Sequence, residues 1–206
     1  MRKVLLSIVA VFAFAAASNA QSVGAKVGFN MANINGDSFD ETDSKFNLIF
    51  GLYGEFMLSD KLGFQPELIF SGQGAKFDQA DGSGGTIEFK QKLSYVNIPL
   101  LANIYLADNF YLQAGPYVGF LTNAEANVSG SLGILGGDNK DSFKSTDFGA
   151  MFGLGVKAGK FDFGLRYQLG LANIAEDFDD GSGNTVEGDA KNGVIQFGAG
   201  FRFVNN

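Results

Sequence analysis

Residues 195–203 read Ile-Gln-Phe-Gly-Ala-Gly-Phe-Arg-Phe. The odd positions Ile195, Phe197, Ala199, Phe201 and Phe203 are all apolar, while Gln196, Gly198, Gly200 and Arg202 between them are small or polar. A side-chain period of two belongs to a β-strand, whose successive Cβ atoms point to opposite faces. The same alternation recurs along 23–31, 46–58, 62–71, 95–106, 110–120, 147–157 and 161–171. Nothing of comparable length has helical spacing. The expectation is an all-β chain of eight antiparallel strands.

The links between these strands alternate in length. Ser59-Asp60-Lys61, Ala107-Asp108-Asn109 and the pair Gly159-Lys160 are tight hairpin turns. The segments 34–45, 72–92, 124–146 and 175–192 read as long polar loops. Short turns at one end and long loops at the other describe an up-and-down meander of the outer-membrane type. The apolar face runs for about ten residues per strand, the span of a tilted transmembrane strand. Phe56, Phe64, Phe110, Phe161 and Phe203 gather near the short turns, and Phe29, Phe46, Phe70, Phe120 and Phe148 near the long loops. Two aromatic girdles around an aliphatic band are expected where strands cross both membrane interfaces. The fold class that follows is an eight-stranded antiparallel up-and-down transmembrane β-barrel. A soluble lipocalin-like barrel would need its polar face outside, yet that face is rich in glycine and poor in charge.

The first twenty residues read as a cleaved signal peptide. Arg2 and Lys3 precede an apolar run from Val4 to Ala17, and Ser18 and Ala20 stand at the −3 and −1 positions of a cleavage site. This divides the chain into a leader, 1–20, and one barrel domain, 21–206, with both termini expected in the periplasm. Of 206 residues, none is His, Cys or Trp, and the formal net charge is −7. Without cysteine there is no disulfide or thiol nucleophile. The missing histidine removes the usual general base near pH 7 and the usual transition-metal ligand. The acidic balance argues against nucleic acid as a partner. No cofactor and no enzymatic activity are expected.

Four segments carry a family resemblance. Tyr95-Val96-Asn97-Ile98-Pro99-Leu100-Leu101, then Gln113-Ala114-Gly115-Pro116-Tyr117-Val118-Gly119, Leu165 to Leu171, and Gly198 to Phe203 together resemble the PorT-like outer-membrane β-barrel family, small barrels often labelled porin family. The resemblance covers essentially all of 21–203. It implies a Gram-negative outer-membrane location and a barrel like the small OmpA and OmpX types, with no catalytic residues. Outer-membrane lipids and the barrel-assembly machinery are the implied partners. Phe201 and Phe203 are the candidates for the assembly signal, although Val204-Asn205-Asn206 follow them.

Two groups of side chains are candidate sites. Lys26, Glu55, Glu67, Lys157, Arg166 and Arg202 point into the lumen on this register, with Asp147 and Asp162 nearer its ends. Eight strands enclose an interior just wide enough to be filled by side chains. These charges therefore read as a mutually paired plug, with a narrow channel for ions or small solutes as the alternative. The second group is the acidic run 176–189, with Asp177, Asp179, Asp180, Glu187 and Asp189, joined by Asp37, Asp40, Glu41 and Asp43 of another loop. Such oxygens can hold Ca²⁺. The spacing departs from a twelve-residue calcium loop, because Gly181 stands where a ligand is required, so a solvated loop is the competing reading. Asp81-Gly82-Ser83-Gly84 and Asp180-Gly181-Ser182-Gly183 repeat one turn chemistry at two loop tips. The long loops are also where an extracellular ligand or protein partner would bind. The function expected is structural or surface-interacting rather than catalytic.

Overall fold

The computed structural model describes residues 22–35, 43–80, 86–130, 133–179, 185–186 and 190–205. Eight long strands form the wall: β1 (Ser22–Asn35), β2 (Asp43–Ser59), β3 (Leu62–Ala80), β4 (Thr86–Ala107), β5 (Phe110–Gly130), β7 (Thr146–Ala158), β8 (Phe161–Gly170) and β11 (Lys191–Asn205). Three short strands complete the set: β6 (Gly133–Asp138), β9 (Phe178–Asp179) and β10 (Thr185–Val186). Each long strand pairs antiparallel with its neighbours in sequence. β1 pairs with β11 from Ser22↔Asn205 to Asn35↔Lys191, which closes the ring and leaves no open wall edge.

Side-chain exposure settles which face is outside. Leu48 is 76 % exposed and Phe46 68 %, whereas Ile49 between their strand neighbours is 2 % exposed. Large apolar side chains cover the exterior of all eight wall strands. Soluble monomers seldom expose contiguous apolar area beyond a few hundred Å². This exterior is built for hydrocarbon, and the closed ladder satisfies the backbone N–H and C=O groups that hydrocarbon would leave unpaired.

The strands run further than the apolar alternation does. The expected loop 72–92 is mostly strand, since β3 continues to Ala80 and β4 begins at Thr86. The expected loop 124–146 is likewise taken up by the end of β5 and by β6, which pair from Glu125↔Asp138 to Gly130↔Gly133. Within 175–192, β9 and β10 form a small hairpin of their own. Backbone pairing needs no continuous apolar face, so the ladder continues where the alternation has faded, with pairs such as Gln79↔Ile87 and Asp78↔Glu88. The band is also not purely aliphatic. Phe50, Phe152, Phe163 and Phe197 lie exposed in its middle, between the two phenylalanine rims. Residues 1–20, expected to be a leader, lie outside the described residues.

Candidate functional site

Every strand sends its polar parity inward, and the lumen collects all eight ionic side chains that the alternation assigned to it. Glu67 on β3 is fully buried at its centre. Arg166 on β8 donates two parallel bonds to it, at 2.7 and 2.8 Å. Lys26 on β1 reaches the same carboxylate at 2.7 Å, and Gln65 donates at 2.5 Å. One carboxylate thus ties three strands that are not all neighbours. Bidentate, charge-assisted geometry of this kind is the strongest form of side-chain hydrogen bond. Lower down, Lys157 on β7 meets Glu55 on β2 at 2.5 Å. Asn103 donates to Glu55 at 2.9 Å and to Gln65 at 2.7 Å, linking the two carboxylates through amides. Tyr105 donates its hydroxyl to Glu55, and Lys157 donates in turn to the Tyr105 oxygen. Arg202, near the short turns, donates to the carbonyl of Gly159.

Tyrosines share the lumen with these charges and amides. Tyr53, Tyr95, Tyr105, Tyr111 and Tyr117 are buried inside, and Tyr167 alone of the six tyrosines is on the exterior. Three of the five lie over a glycine on the adjacent strand. Tyr53 is paired with Gly24, Tyr111 with Gly155 and Tyr117 with Gly149. A Cβ on Gly155 would stand 2.3 Å from the Tyr111 ring, and one on Gly24 would stand 2.7 Å from the Tyr53 ring. Gly24, Gly149 and Gly155 therefore make room for the rings of their paired neighbours. Two of these rings end on carboxylates: Tyr111 donates to Asp162 at 2.7 Å and Tyr117 to Asp147 at 2.9 Å. Asn192 also donates to Asp147, at 2.9 Å.

Above this polar layer the lumen turns apolar. Ile34, Leu93, Tyr95, Leu121, Ile174 and Ala190 form a buried cluster at the long-loop end, with Phe143 packed against it. Ile174 sits in the segment after β8 and is held across the mouth by backbone bonds. Its N–H donates to Ala190 at 2.8 Å, and its carbonyl accepts from Lys144 at 2.8 Å. Asn173 Oδ1 accepts from the N–H groups of both Ala175 and Ala190, at 3.1 Å. This cap was missed at the level of sequence because its members share the inward parity otherwise held by polar residues.

The loop candidates fare differently. Asp177 is exposed, and Asp179 lies in β9. Asp180, Glu187, Asp189, Asp37, Asp40 and Glu41 lie outside the described residues, as do both DGSG turns. Among the described residues there is no grouping of three or more acidic side chains placed to hold a metal ion. On the projecting hairpin Lys90 meets Glu88 at 2.5 Å, and its hydrogen bond holds that carboxyl below the usual carboxylate range. Phe201 and Phe203 face outward beside the short turns, their rings 5.8 Å apart.

Comparison with known proteins places this barrel. No curated protein matches the chain. Among solved structures it is similar to Ail, the attachment invasion locus protein of Yersinia pestis, crystallised in complex with the heparin analogue sucrose octasulfate, at 16 % identity and a TM-score of 0.45 over 88 % of this chain and 98 % of that one. Neisserial surface protein A is similar at 12 % identity and a TM-score of 0.46, over 88 % and 96 % of the two chains. The N-terminal β-barrel domain of Pseudomonas aeruginosa OprF is similar at 12 % identity and a TM-score of 0.32, over 89 % and 98 %. The family model for the outer membrane protein beta-barrel domain matches residues 16–176, well over half of the chain. The chain belongs to that family and is an outer-membrane β-barrel protein.

Proposed function

We propose that this barrel is a non-enzymatic envelope protein whose lumen is a closed structural core and whose long-loop end carries the surface that meets extracellular partners. The observation that supports this reading is the bridging of Glu67 by Lys26 and Arg166 across the lumen. An ion entering from either end meets paired charges whose separation would strip each of its partner in a low dielectric. The apolar cap at Ile174 stands in series with that layer. The same reading takes 1–20 as a removed leader, puts both termini in the periplasm and assigns Phe201 and Phe203 to recognition by the assembly machinery.

Planar-bilayer recording on the purified, folded barrel tests this reading. Silence at the single-channel level, with heat-modifiable mobility confirming the fold, is the expected result. A stable unitary current from wild-type protein would favour the narrow-channel reading instead.

A further inference from the structure

Among the described residues, the exterior carries a groove over β2, β1, β11 and β8. Four outward side chains lie in register across β2, β1, β11 and β8: Phe50, Val27, Ala199 and Phe163. Two small residues thus sit between two large ones. The Phe29 and Phe197 rings, 5.8 Å apart, form its upper lip. Its floor is the backbone of Gly28, Gly198 and Gly164, which share one row across three strands. The resulting groove has a volume of about 590 Å³ and is lined by apolar and glycine residues only. That volume falls within the range of small-ligand sites, and the lining offers nothing to a polar or charged group.

We infer that this groove seats one acyl chain of a bilayer lipid. It opens within the exposed apolar band, so it is continuous with the surface that lipid already covers in an outer-membrane barrel. A void against the wall would forfeit dispersion contacts on one side, and a flexible hydrocarbon chain restores them. A second copy of the barrel is convex and would be held off the glycine floor by the exposed rings of Phe50 and Phe163. A single chain is slim enough to pass between them. The site does not depend on whether the lumen conducts.

Filling the groove from outside tests the assignment. Ala199→Phe and Val27→Phe each place a ring in it, and Ala114→Phe places one on the exposed exterior of β5, away from it. Each protein is reconstituted in phosphatidylethanolamine vesicles, extracted in mild detergent, checked for heat-modifiable mobility and weighed by native mass spectrometry. Wild type and Ala114→Phe should retain one phosphatidylethanolamine per barrel, and the two groove variants should retain it about five-fold less often, near 1 kcal/mol of lost affinity. Using both groove variants guards against one of them failing to fold. Equal retention in all four proteins, or none in wild type, overturns the site. A wild-type dimer that Ala199→Phe splits would overturn it in favour of a second copy.

Discussion

Replacing Glu67 by alanine removes the acceptor that holds Lys26, Arg166 and Gln65 in place, and its cost follows from what it leaves behind. Four hydrogen bonds end on this carboxylate, three of them from cations. Lys26 and Arg166 are each about 5 % exposed, so neither reaches water when the carboxylate is gone. Removing one partner of a buried ion pair costs about 3–5 kcal/mol, chiefly because the remaining charge stays desolvated. Here two cations are orphaned together, so the upper end, about 5 kcal/mol, is expected, or more than a thousandfold in the folding equilibrium. Glu67→Gln keeps the shape but not the charge and should lose at least half as much. The triple change Lys26→Met, Glu67→Leu, Arg166→Met removes every charge at once and should fall within about 2 kcal/mol of wild type, because well-packed apolar residues replace buried ion pairs at little cost. With no tryptophan to follow, the assay is urea unfolding in lipid vesicles monitored by far-UV circular dichroism and heat-modifiable mobility. Glu67→Ala within about 0.5 kcal/mol of wild type would refute the reasoning, since surface-like changes are of that size. So would a triple variant as unstable as the single one.

Two other substitutions probe the wall. Gly155→Ala puts a Cβ 2.3 Å from the Tyr111 ring and forces it off Asp162, so a loss of about 1–3 kcal/mol in urea is expected. The loss should shrink in a Tyr111→Leu background, as coupled neighbours are not additive. Phe152→Arg places a charge midway along the exposed face of β7 and should cost about 2–4 kcal/mol in vesicles, against about 0–1 for Leu58→Arg beside a short turn. Equal effects at the two positions would contradict a hydrocarbon-facing band.

The inward or outward sense of each wall residue was legible because the period of two needs only one strand to be read. Val27 and Lys26 differ by one position, and that parity alone separates exterior from lumen. Everything that depends on register across strands was hidden. Which cation meets which carboxylate requires knowing that β1, β3 and β8 approach one another inside the ring, and Tyr111 over Gly155 requires the β5–β7 alignment. Strand ends were misjudged for a different reason. The apolar signal fades near Ser71 and Ser94, where the wall leaves the band, but the backbone ladder continues to Ala80↔Thr86. Val96 keeps the outward parity, paired with Phe70 and Phe120, yet is only 5 % exposed between those neighbours. The cap was hidden because Ile34, Leu93 and Leu121 obey the inward parity while being apolar, a pattern that marks a plug only once Ile174 is seen to close over them.

The charges sort by compartment, and the sorting follows from the cost of burial. Residues 21–206 contain 13 basic and 22 acidic side chains. In the lumen four cations, Lys26, Lys157, Arg166 and Arg202, stand against four carboxylates, Glu55, Glu67, Asp147 and Asp162. The short turns hold Lys61 and Lys160 against Asp60 and Asp108. Both are neutral, which leaves seven basic and sixteen acidic residues, a net of −9, in the rest of the sequence. An interior of low dielectric tolerates ions only as a balanced set, whereas water and counterions screen an excess within about 10 Å. The excess therefore falls to residues outside the lumen and the short turns.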